Sequence, residues 1–202
     1  MRSVLVAGCP ESKISVYIFD KHALASIYVT SRVSIHRPDG SWYNPDLAHV
    51  LSSLQRDSTA KGFAKLVPVL PHVVFEELRE LASPLIVLDS QRTKQMQAKG
   101  ILTQIANLGS KSGTIFSQQS IIHHRQVTLS VPKGSSSYVS FAILECALNI
   151  KAHFKGQVEV TVVSDDEAMK YQYAQHKYRP REGPHFLLKT TSELKHTWLE
   201  SF

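Results

Sequence analysis

Two short, almost purely apolar runs constrain the fold of this chain more than any other feature. They are Val16-Tyr17-Ile18-Phe19 near the start and Val160-Thr161-Val162-Val163 near the end. A strand with one solvated face alternates polar and apolar residues, whereas runs like these fit strands covered on both faces, as in a parallel sheet packed between helices. Each run leads straight into acid: Asp20 follows the first, and Ser164-Asp165-Asp166 follows the second. The carboxyl ends of parallel strands border the ligand crevice of open α/β folds, so acids remote in sequence are expected to converge there.

The intervening sequence supplies the crossovers. A helix starts at His22, and Pro38-Asp39-Gly40 marks a turn inside a hairpin expected over 33–43. Asn44 as N-cap and Pro45 at the first helical position predict a helix carrying Leu47, Val50, Leu51 and Leu54. A second strand is expected from Ala64 to Leu70, and Pro71 opens the helix that carries Glu77. Beyond Ser83-Pro84, a helix over 89–107 presents Met96, Ile101, Ile105 and Leu108 as its core face, and Gly109 to Gly113 reads as a linker. A third strand is expected at Gln126 to Val131, a helix from Ser140 to Phe154, and a strand from Val158 to Val163. A helix from Asp166, a basic loop, a short strand Phe186 to Lys189 and a last helix follow; Thr190 and Glu193 form a capping box for that helix. This order predicts an α/β fold with a largely parallel sheet, in one domain spanning 1–202 with its core at about 15–199.

At 202 residues and 43% hydrophobic content, the chain can bury one sizeable core. Its formal charge of +6, with ten histidines besides, favours anionic partners such as a phosphate backbone. Two cysteines, Cys9 and Cys146, build no disulfide framework, which points to a reducing compartment inside the cell. Cytoplasm or nucleus is favoured, and an acid-free first stretch with one Arg leaves an organelle open. No run approaches the roughly 18 apolar residues of a membrane span, and the first residues lack the pattern of a secretory signal.

Four acids stand out, each with a structural explanation beside the chemical one. Asp20 at a strand-to-helix junction caps helices as readily as it binds cations, and the same holds for Asp165 and Asp166. Glu77 falls within the apolar stripe of Val74, Leu78 and Leu81, where a carboxylate requires a partner charge or a metal. Taken together, Asp20, Glu77 and one of Asp165 and Asp166 form the kind of hard-oxygen set that holds Mg²⁺ or Mn²⁺.

The segments Ile18-Phe19-Asp20-Lys21-His22-Ala23-Leu24, Leu66-Val67-Pro68 through Val73-Val74-Phe75-Glu76-Glu77-Leu78, and Val162-Val163-Ser164-Asp165-Asp166 resemble a PIN domain. The resemblance implies a three-layer α/β/α sandwich with a central, mostly parallel sheet of about five strands. It also implies a metal-dependent ribonuclease site of four acids acting on single-stranded RNA. Position by position, the first acid matches Asp20, the second Glu77 and the fourth Asp166, whereas Ser140 stands where the third is expected. Glu145 lies about 140° around the helix from Ser140 and is expected to face away. Lys21 and His22 replace the small polar residues that usually follow the first acid, and Lys21 is placed to pair with Asp20 or Asp166.

Losing one acid and gaining a cation both weaken the field that attracts a divalent ion. The departures therefore favour a non-catalytic module that binds RNA or a protein of an RNA-processing or decay assembly. The other reading is an endoribonuclease using Asp20, Glu77 and Asp166 with Mg²⁺ or Mn²⁺. Nucleic-acid contacts are expected from Lys21, His22, Arg125, Lys170, Lys177, Arg179 and Arg181. Tyr171 and Tyr173, interleaved with these cations, are expected to pack on the sheet.

Overall fold

The computed structural model describes residues 13–36, 40, 42–43, 46–83, 89–112, 116–117, 138–154, 157–177 and 186–199. The described strands are β1 (Ile14–Phe19), β2 (Ile35–His36), β3 (Trp42–Tyr43), β4 (Lys65–Leu70), β5 (Phe116–Ser117), β6 (Val158–Val163) and β7 (Leu187–Lys189). The helices are α1 (Lys21–Thr30), α2 (Leu47–Ala60), α3 (His72–Ala82), α4 (Asp89–Ser112), α5 (Tyr138–His153), α6 (Glu167–Lys177) and α7 (Thr191–Leu199).

Strand β1 lies at the centre of the sheet because almost nothing in it can face water. Ser15 to Phe19 are all buried, and each large apolar side chain removed from water contributes about 1.5–3 kcal/mol. On one side β1 pairs in parallel with β4, and on the other with β6. β5 extends the sheet beyond β4 and β7 extends it beyond β6, also in parallel, giving the order β5-β4-β1-β6-β7. The sheet is parallel throughout, with short strands at its edges, the two-residue β5 on one side and the three-residue β7 on the other. The third strand expected at Gln126 to Val131 lies outside the described residues; the described pairing with Val69 and Leu70 is made by Phe116 and Ser117.

Helices flank this sheet in an α/β/α arrangement. α2 packs on β4 and against α7, while α5 packs on β6 and against α3 and α6. The start of α2 differs from expectation: Asp46 is the N-cap, accepting from the His49 amide at 2.9 Å. Its other end closes on Gly62 at φ +84°, with the Phe63 amide reaching back to the Ser58 carbonyl, an arrangement that requires a left-handed residue. α4 continues through Gly109 to Ser112, where a linker was expected. It buries Ala98 and Ile101, while Met96, expected in the core face, is exposed. Within α4, Gly100 packs directly against α1: a β-carbon there would collide with the Tyr28 ring and hydroxyl. The expected hairpin is present, with β2 antiparallel to β3 and Gly40 at φ +84° between them.

The strand order carries the functional consequence. From β1 the chain moves to β4 and β5 on one side, then crosses to β6 and β7 on the other. The reversal falls beside β1, so the carboxyl ends of β1 and β6 border the crevice that this topology creates.

Candidate functional site

Register brings the two acid-tipped strands together. Phe19 pairs with Val163, and the Asp20 amide donates to the Val163 carbonyl at 3.1 Å, which places Asp20 beside Ser164. Asp20 is 2% exposed and caps α1, its Oδ1 accepting from the Ala23 amide at 2.6 Å. Its Oδ2 accepts from the Ser164 hydroxyl. Burial pushes the Asp20 carboxyl up to about 6, with the Asp166 charge adding to the rise and the Ser164, Ala23 and His22 contributions opposing it. The capping role and the crevice position therefore coexist in one side chain.

Ser164 is the hinge of this corner, because its oxygen also accepts from the Asp166 amide at 3.0 Å. Asp166 in turn caps α6 through Oδ1, which accepts from the Ala168 amide at 3.0 Å. Its Oδ2 accepts from the Ser140 hydroxyl at 3.1 Å. Ser140, 2% exposed at the start of α5, thus stands at the crevice as expected. Glu145 is buried elsewhere along α5, beside Cys146, whose thiol burial pushes up to about 12.

Glu77 has a different partner. The Lys21 ammonium, one residue past Asp20, donates to Glu77 Oε1 at 2.7 Å, joining the first turn of α1 to α3. Both side chains are half-buried, at 28% and 23% exposure. Lys21 was expected to pair with Asp20 or Asp166; the described pairing is with Glu77. On α3, Val74 and Leu78 are buried, while Leu81, expected in the same stripe, is exposed. Glu77 Oε2 is buried without a hydrogen-bond partner among the described residues.

Asp165 holds the structure instead of facing the crevice. It accepts from the Ser26 hydroxyl at 2.9 Å, the Thr191 amide at 2.8 Å and the Thr191 hydroxyl at 2.5 Å, tying α1 and α7 to the end of β6. Neither Ser26 nor Thr191 was singled out in the sequence, and only Thr191's place next to the Thr190–Glu193 capping box hinted at it. Among the expected nucleic-acid contacts, His22 is exposed and Lys170 is paired with Glu167 at 2.5 Å. Arg125, Arg179 and Arg181 lie outside the described residues, as does the side chain of Lys177. Tyr173 packs as expected, its hydroxyl donating to the Phe186 carbonyl, whereas Tyr171 is 67% exposed.

A family model for the PIN domain matches residues 48–176, and the chain belongs to that family. No curated protein matches it. The match takes in Glu77, Ser140 and Asp166 but begins after β1, so Asp20 joins the set through its strand register with β6. PIN domains typically depend on a divalent metal ion. At Glu77 the fit to one is poor, because the Lys21 ammonium already sits on that carboxylate. Of the six oxygens on Asp20, Glu77 and Asp166, five accept from donors of this same chain, one of them a cation. The sixth, Glu77 Oε2, belongs to the carboxylate that the Lys21 ammonium already neutralises. Among the described residues, no three His, Cys, Asp or Glu side chains are grouped so as to hold a metal. No described helix is long and apolar enough to cross a membrane.

Proposed function

We propose that this PIN domain binds single-stranded RNA within an RNA-processing or decay assembly, inside a reducing compartment, and does not itself cleave the RNA. The observation that carries this reading is the Lys21 ammonium 2.7 Å from Glu77 Oε1. Phosphodiester hydrolysis at acids of this kind draws on a divalent ion to activate water and stabilise the leaving oxygen. A fixed ammonium on Glu77 opposes that ion there, and Ser140 contributes a hydroxyl donor where a fourth acid would add charge. The net charge of +6 and the exposed His22 beside the crevice support an anionic, RNA-like partner.

A second reading, a Mg²⁺- or Mn²⁺-dependent endoribonuclease, draws support from the convergence of Asp20 and Asp166 through Ser164. Incubation with labelled single-stranded RNA and Mn²⁺, beside an Asp20→Asn control, separates the two. Equal retention of intact RNA by both proteins is expected. Cleavage by the wild type that the substitution abolishes would overturn the binding reading, and failure to retain RNA would redirect it to a protein partner.

A further inference from the structure

We infer that the Lys21 ammonium is a built-in replacement for the divalent ion of the family, supplying the positive charge that Glu77 requires and leaving the acidic crevice indifferent to metal. The inference rests on the non-cleaving reading above and concerns what holds the crevice together. Three carboxylates lie at the ends of β1 and β6 and on α3, and they are satisfied in two distinct ways. Asp20 and Asp166 are held by neutral donors: backbone amides at helix N-termini and the hydroxyls of Ser164 and Ser140.

Among the described residues, Glu77 has no such neutral donor. Its partner among the described residues is Lys21, 56 positions away in sequence, in a half-buried contact of charge-assisted length. A partly buried carboxylate without a counter-charge is unfavourable, so this contact clamps the start of α1 onto α3 where a bound cation would otherwise be needed. The same ammonium repels a second cation approaching Glu77. Lysine suits the task because its four-carbon stem carries the charge from the first residue of α1 across to the neighbouring helix.

The test is the melting temperature of the full chain in EDTA, in Mg²⁺ and in Mn²⁺, for wild type, Lys21→Ser and the double variant Lys21→Met with Glu77→Gln. A metal site filled tenfold above its dissociation constant raises the Tm of a chain this size by about 3–6 °C. The wild type is expected to melt at one temperature in all three solutions. Lys21→Ser should melt lower in EDTA and regain part of the loss in Mn²⁺, and the double variant, which removes both charges, should respond to neither ion. If Lys21→Ser does not fold, Lys21→Gln retains a donor without the charge and is expected to show the same gain in Mn²⁺.

A wild-type Tm that rises in Mn²⁺ overturns the inference, and so does a Lys21 variant no more responsive than the wild type. RNA cleavage assayed on the same samples keeps the two proposals apart. A metal-stabilised wild type that leaves RNA intact sinks this inference alone, and a metal-indifferent wild type that cleaves RNA sinks the functional reading alone.

Discussion

Asp20 and Asp165 follow neighbouring strands of the same sheet, and both accept hydrogen bonds from a backbone amide and a hydroxyl, yet their carboxyls shift in opposite directions. Burial is the largest influence on each. At Asp20 it prevails over two donors and pushes the carboxyl up to about 6. At the shallower Asp165 burial also raises the value, but the Thr191 hydroxyl and amide, then Ser26 and Lys170, together bring it below the ordinary Asp value. Depth weighed against donor number therefore separates a charge held for structure from one kept on the edge of protonation at the crevice.

The largest effect that would break this contrast is expected at Asp165. Replacing it with Ala strands the Ser26 hydroxyl and both Thr191 donors, and should cost about 2–4 kcal/mol in urea unfolding. Because its native value is lowered, its contribution is present above the ordinary Asp value and lost as pH falls through the native one. The deficit of Asp165→Ala should therefore shrink in acid; a deficit that is constant with pH would mean the charge is not what matters.

Asp20 carries the opposite sign. Its stabilising protonated form is fully available below the unfolded value of 3.8 and is lost as pH rises through about 6. Asp20→Asn should then gain about 1–3 kcal/mol over the wild type above pH 7, with the gain fading toward pH 4. Matched thermal melts across that range check it, and a substitution that destabilises at every pH would show that the carboxylate's hydrogen bonds outweigh its burial. The smallest effect belongs to the exposed capping box, where Glu193 accepts from the Thr190 amide at 2.6 Å. Glu193→Ala should cost about 0.5–1 kcal/mol, read by the same unfolding curves.

Much of this was legible locally. The strands β1 and β6 announced themselves because residues buried on both faces need no polar alternation. Asp20 and the Thr190–Glu193 pair read as caps because a cap is a contact over three residues. Local signals failed where two candidates competed or where a long-range partner decided. Asn44 and Asp46 are both cap-forming residues, and the one whose side chain reaches the His49 amide is Asp46. Met96 and Leu81 have the spacing of core residues, but the neighbouring helices cover other faces.

The sequence by itself determined that two apolar strands would be buried and that acids would stand at their carboxyl ends. Those facts depend on residue type and on spacing over a few positions. Only the tertiary structure decided how the acids are satisfied: Ser164 meets Asp20 across 144 positions and Lys21 meets Glu77 across 56. Such pairings follow from strand register and helix packing, which no local spacing encodes, and they decide which donor each carboxylate accepts from.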